Sequence, residues 1–396
     1  MDDLLKVRNE ITEQLDLGLE MSEDAILQKI DEGILLASKI HGLNFECREK
    51  LRKEIFRNIR QMGVLQELID DPEVTEIMVN GTDGIFIEKK GKLMMTDLRF
   101  ESGEKLRQMI WQITAGCNRV VNEASPIVDA RLKDGSRVNV VLDPVALNGP
   151  ILTIRRFPTD PITMDDLIGM GCISPECAEF LHDAVRAGLN ILVSGGTGSG
   201  KTTLLNILSN YINSDQRVIT IEDSAELQIR GIPNLVSMET RNANVEGCRE
   251  ITIRDLLKTS LRMRPDRIIV GEVRSKEAID MLQAINVGHS AMTTVHANSV
   301  RDVVSRLETM VLMGMEMPLG AIRSQIASGF DLMIHLGRWN DGSRRVLEIA
   351  EPVGIKEGNI IMNSIFRFIT GKEDPSLKDP GQIVRIGELV NVEKFR

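Results

Sequence analysis

Residues 195–203 read GGTGSGKTT, and this stretch decides the fold. It matches G-x-x-x-x-G-K-[ST] at every fixed position. Gly196, Gly198 and Gly200 leave the backbone free to wrap an anion, so its N–H groups can point inward. The apolar run ILVS before it predicts a strand, and TTLLNILSNYI after it predicts a helix. That helix N-terminus adds partial positive charge. On this reading Gly195, Gly196, Thr197, Gly198, Ser199, Gly200, Lys201, Thr202 and Thr203 cradle the phosphates of ATP. Lys201 reaches the β- and γ-phosphates, and the Thr202 hydroxyl ligates Mg²⁺. The fixed positions alone recur by chance in roughly 1 chain in 100 of this size. The strand–loop–helix context makes nucleotide binding the preferred reading.

Working outward, strands and helices alternate. RVITIED, RIIVGE and SAMTTVH read as strands; TIRDLLKTSLRM and SKEAIDMLQAINV read as helices. Ser174-Pro175 predicts a helix start, and Gly188 can close that helix. Such alternation implies a largely parallel sheet covered by helices, hence an α/β fold. Ligands of such sheets sit beyond the carboxyl ends of the strands. Three predicted strands end there in Glu222, Asp223 and the nearby Glu226, in Glu272, and in His296. Phosphate hydrolysis needs an acid to orient or deprotonate water, an acid to hold the metal through water, and a polar sensor. Each acid alone reads equally well as a solvated strand end; together, beside a phosphate loop, they point to hydrolysis.

These segments carry a resemblance. GGTGSGKTT, TIEDSAEL, LRMRPDRIIVGEVRS and GHSAMTTVHANS, in this order, resemble the Walker A, Asp box, Walker B and His box of the type II/type IV secretion ATPase superfamily. Upstream, TEIMVNG, SPIVDARLKDGSRVN and LTIRRF resemble the N-terminal domain of the Tad/Flp pilus assembly ATPases (CpaF-like). The resemblance implies a RecA-like P-loop core, a homohexamer, and ATP hydrolysis driving pilin transfer at inner-membrane platform proteins. It places Glu226 and Glu272 nearest the γ-phosphate and Mg²⁺, without ranking them as general base. It assigns His289 and His296 to the His box, and makes Arg137 and Arg155 the arginines that close on the nucleotide. Gly271, where many nucleotide hydrolases carry Asp, is usual in the family. Ser275, and the absence of a four-cysteine zinc motif, favour the Tad and type IV secretion branch.

The resulting organisation is a helical arm over 1–70, a small α+β domain over 71–157, a linker over 158–174, and a RecA-like ATPase domain with a C-terminal extension over 175–396. The two prolines of FPTDPIT mark the linker. In the arm, Leu51, Ile55, Ile59 and Met62 fall at helical spacing. Arg254, Lys258 and Arg262 form a helical stripe that reads as a solvated or subunit-facing side. The Met310–Met317 cluster reads as packing.

Composition narrows the function. Residues 1–32 hold ten acids against three bases, which accounts for −7 of the net −10. No basic block predicts binding to nucleic acid. No apolar run approaches the ~18 residues needed to span a bilayer. MDDLLKVRNE lacks the apolar core of a secretory signal. These features give a cytoplasmic location as the expectation, and the resemblance implies peripheral association with the inner membrane through partners. Five cysteines without a C-x-x-C pair read as reduced thiols.

Overall fold

The computed structural model describes residues 23–60, 62–89, 91–117, 119–132, 134–157, 161–241, 249–339, 342–370, 373, 381–391 and 393. The acidic start of the arm, the side chain of Ile59, linker residues 158–160 and Cys248 lie outside the described residues. The chain divides into two compact units, Met1–Thr159 and Asp160–Arg396.

The first unit begins with two helices, α1 (Glu23–His41) and α2 (Phe45–Arg60). Ile26, Ile30, Ile34 and Ala37 recur on one face of α1 and bury against Leu51 and Ile55 of α2. The arm is thus a helical hairpin. Gly42, at φ +63°, makes its turn, and the Asn44 side chain accepts the Cys47 N–H at 2.8 Å to start α2.

A short helix, α3 (Gln66–Asp70), leads into β1 (Val74–Asn80), β2 (Gly84–Lys89) and β3 (Lys92–Met95). Then come α4 (Gly103–Gly116), β4 (Ile127–Arg131), β5 (Arg137–Val141) and β6 (Ile151–Arg155). The strands form an antiparallel sheet in the order β3-β2-β1-β6-β5-β4. Alternate residues such as Ile77, Val79, Val138, Val140, Leu152 and Ile154 face α4 and its Leu106, Ile110 and Ile113. Each such buried side chain contributes about 1.5–3 kcal/mol.

The second unit opens with α5 (Met164–Gly169) and α6 (Pro175–Arg186). Thr163 and Asp166 form a reciprocal capping box on α5. Met164, Leu167, Cys172 and Ile173 lie in this unit's core. The later part of the expected linker is therefore packed structure. The order continues with β7 (Ile191–Gly195), α7 (Lys201–Ser209), β8 (Val218–Glu222), β9 (Leu235–Glu239), α8 (Ile253–Ser260) and β10 (Arg267–Val270). It ends with α9 (Glu277–Asn286), β11 (Ser290–His296), α10 (Val300–Gly314), α11 (Leu319–Gly329), β12 (Leu332–Arg338), β13 (Arg344–Lys356), β14 (Asn359–Ile369) and β15 (Gln382–Arg385).

The sheet order is β15-β14-β13-β12-β7-β11-β10-β8-β9. From β12 to β9 every pair is parallel; β13, β14 and β15 extend the sheet antiparallel. Both faces are apolar. Ile191 and Val193 point into the core shared with α5, α6 and α7, whereas Leu192 points into the core shared with α8 to α11. The α/β expectation holds, and parallel register brings the carboxyl ends of β7, β8, β10 and β11 to one edge.

Candidate nucleotide-binding site

The phosphate loop joins β7 to α7. A Cβ at Gly195 would lie 2.5 Å from the Leu336 carbonyl oxygen and 2.5 Å from Ser199 Oγ, so only glycine lets β7 end this close to β12. Gly198 and Gly200 adopt φ +69° and +95°. No side chain caps α7, so its first-turn N–H groups remain to meet an anion. Ser199 Oγ donates to the Gly196 carbonyl at 2.9 Å. Arg344 of β13 donates to the Gly198 carbonyl at 2.9 Å and braces the loop from outside. Thr202 and Thr203 occupy the first turn of α7.

Lys201 is 7% exposed. Its ammonium donates to the Gly196 carbonyl at 3.0 Å and lies 3.3 Å from His296 Nδ1. Burial lowers the lysine pKa, against the pull of Glu272. His296 ends β11. Burial, then the Lys201 charge, lowers its pKa, so the ring is neutral near pH 7. An ammonium only donates, so Nδ1 accepts and the ring proton sits on Nε2. That Nε2 lies 3.1 Å from Glu272 Oε1. Glu272 Oε2 in turn pairs with Arg274 Nη2 at 2.7 Å, and Arg274 Nη1 lies 3.5 Å from Asp223 Oδ2.

Two buried carboxylates hold the acid-bearing loops. Glu222 Oε1 accepts the N–H groups of Glu226 and Leu227 at 2.8 and 3.1 Å. Glu277 Oε1 accepts those of Arg274 and Ser275 at 2.6 and 2.8 Å. The same arrangement explains Gly271. A Cβ there would sit 3.0 Å from Glu222 Cγ and press on the carboxylate that sets the Glu226 loop.

Oxygen donors suit Mg²⁺. Glu272 Oε1 is buried without an aligned hydrogen-bond donor, so it keeps a lone pair to offer. Among the described residues no group of three or more His, Cys, Asp or Glu could hold a metal on its own. That fits an ion carried mainly by substrate phosphates, with few protein ligands. Beside the loop a cleft of about 550 Å³ is lined by Gly196, Thr197, His296, Asn298, Ser305 and Arg306.

Sequence reading placed some residues elsewhere. His289 is not brought to this site. It precedes β11, and seven residues of strand rise put it roughly 23 Å from His296, at the opposite edge of the sheet. Arg137 and Arg155 belong to the first unit, directly opposite each other on β5 and β6, with Arg155 Nε 3.6 Å from Glu76. The expected solvated stripe is partly an internal contact. Arg254 lies 2.7 Å and Lys258 3.8 Å from Asp280, which is 6% exposed. Glu222, read from the sequence as a strand-end acid, is a clamp on the Glu226 loop. Arg274, Arg344 and Glu277 were missed as site builders, and of these only Arg274 had a sequence signal, standing two residues after Glu272.

The family model for type II/IV secretion system proteins matches residues 58–354. The chain belongs to the type II/IV secretion system protein family. Among its family relatives, a Mycobacterium tuberculosis protein named for conjugal transfer is 36% identical over 311 residues, 75% of this chain and 88% of that one. The type IV secretion system protein VirB11 of Brucella suis is 30% identical over 310 residues, 71% of this chain and 86% of that one. The X-ray structure of the ATPase DotB of Legionella pneumophila aligns with a TM-score of 0.53 at 22% identity, covering 74% of this chain and 80% of that one, which shows the shared RecA-like P-loop fold. Among the described residues no helix of this family member is long and apolar enough to cross a membrane.

Proposed function

We propose that the chain is a Mg²⁺-dependent ATPase, acting as a homohexameric motor of Tad/Flp-type pilus assembly or secretion, docked on inner-membrane platform proteins. The contact chain Lys201–His296–Glu272–Arg274 beside an open phosphate loop carries this reading. The loop N–H groups take the phosphates, and Lys201 turns from Gly196 to the β- and γ-phosphates. Bound Mg²⁺, held by Thr202, Glu226 and Glu272, would neutralise phosphate charge. Glu272 or Glu226 accepts the proton of the attacking water, whose oxygen bonds to the γ-phosphorus as the ADP oxygen leaves. Neutral His296, its Nε2 3.1 Å from Glu272 Oε1, orients Glu272 once the ring turns its N–H onto that oxygen. Arg137 and Arg155 act as finger arginines, a role that contributes ~10³–10⁵ in rate.

The prolines around residues 157–163 support a hinge through which hydrolysis moves the two units as bodies. Crosslinking that left ATP-driven assembly intact would remove this idea. A second reading, a type IV secretion motor, is favoured by the relatives named for conjugal transfer and type IV secretion. Steady-state turnover of the full chain, with its mass measured by light scattering in ATP, tests both. The proposal expects hydrolysis by a sixfold assembly with no stimulation by DNA. DNA stimulation would favour a nucleic-acid translocase, and binding without turnover an ATP-bound scaffold.

A further inference from the structure

We propose that Arg274 holds the place of the metal ion in the nucleotide-free site, and must leave Glu272 before Mg²⁺–ATP can seat. The inference rests on the nucleotide reading above. Arg274 lies 2.7 Å from Glu272 and 3.5 Å from Asp223, and the charge of Glu226 also falls on it. One guanidinium thus faces the charge of three acids from two loops and offsets only part of it.

Those acids are not free to spread apart. Glu222 pins the backbone of the Glu226 loop, and Glu277 pins the backbone at Arg274 and Ser275. Carboxylates held together need a counter-cation. The two cations that could serve differ in mobility. The Arg274 side chain is 60% exposed, whereas that of Glu272 is 17% exposed. The guanidinium can therefore swing away on its own stem while the carboxylate stays. A divalent ion and a guanidinium beside the same carboxylate repel, so Arg274 yields to the ion. Its planar fork is then released towards the phosphates, which it can grip bidentately. Lys201, folded onto Gly196, is the matching cation on the phosphate side.

The test is Mn²⁺ binding, by electron paramagnetic resonance, to the full chain saturated with ADP, whose phosphates supply the ligands that the described residues alone lack. Arg274→Gln is expected to bind Mn²⁺ about tenfold tighter than wild type, the effect of removing one like charge a few ångströms away under near-surface screening. Arg274→Lys keeps the charge and is expected to bind as weakly as wild type. The double variant Arg274→Gln/Glu272→Gln is expected to lose the gain. The proposal is overturned by no gain in Arg274→Gln, by an equal gain in Arg274→Lys, or by a gain that survives the double change. Turnover of wild type is measured in parallel. If it is present without the Mn²⁺ gain, only the placeholder idea fails; if wild type has no turnover, the ATPase reading fails separately.

Discussion

The two edges of the nine-stranded sheet use similar residues to opposite ends. At the edge where the parallel strands start, polar groups are buried and bonded to other parts of the fold, with Arg267 Nη1 left without a partner. The Asn190 N–H donates to Asp331 at 2.7 Å, its side-chain amide donates to the Gly329 carbonyl at 2.7 Å, and its side-chain oxygen accepts the Ala291 N–H at 2.9 Å. Arg267, 1% exposed, donates to the Gln216 side chain at 3.1 Å and to the Val185 carbonyl, and burial lowers its pKa to about 10. At the edge where the strands finish, charges are strung together but left reachable. Lys201, His296, Glu272 and Arg274 touch in sequence, and Glu272 Oε1 keeps no aligned donor. A polar group whose partners are all internal holds the fold; one whose partner can be exchanged for a ligand performs function.

The largest expected effect is at the open edge. Lys201→Ala should lower turnover by about 10²–10³-fold, the scale of one phosphate-side donor, with a melting temperature close to wild type. A large loss of stability would break the contrast, because it would make Lys201 a structural group. Next comes Asn190→Ala at the buried edge. It strands the Ala291 N–H and the Gly329 carbonyl, at about 1–3 kcal/mol each. Urea unfolding should show that loss while turnover per folded molecule stays near wild type.

The histidines sharpen the comparison. His296→Ala should lower turnover by about 10- to 100-fold, the scale for an outer partner that orients a functional side chain. His289→Ala, at the far edge, should change it less than His296→Ala does. Equal losses in steady-state turnover would mean that the strand separation does not divide their roles.

The smallest effect is a pH slope. His335 lies on β12, its Nδ1 3.1 Å from Ser194 Oγ. Burial lowers its pKa, with Glu348 and Asp302 opposing. The unfolded chain therefore takes up a proton that the folded chain resists. Stability is full above the ordinary histidine pKa of about 6.5 and falls as pH drops through it, by at most about 1.4 kcal/mol per pH unit. Urea midpoints of His335→Gln between pH 7.5 and 5.5 should fall less steeply than those of wild type. An unchanged slope would show that His335 is protonated without strain.

The sequence carried the open edge well and the buried edge poorly, for a physical reason. The phosphate loop, Glu272 and His296 each follow a run of strand-forming residues, so local pattern places them at strand ends. Asn190 gains its partners from residues more than 100 positions away, and that depends on which strands pair. The clamps by Glu222 and Glu277 depend on loop shape after the strand, which residue type does not specify. Helical spacing found Leu51 and Ile55, but the α1–α2 pairing that buries them is a tertiary choice. The stripe of Arg254 and Lys258 looked solvated because Asp280 belongs to another helix.

The most direct test of the account is steady-state ATPase turnover of the full chain against Glu272→Gln and Glu226→Gln, with nucleotide binding measured on the same samples. The account predicts that both variants bind ATP and lose turnover by about 10²-fold or more, the contribution of a positioned acid or base. Variants that turn over like wild type, or a wild type that binds ATP without hydrolysing it, would contradict it.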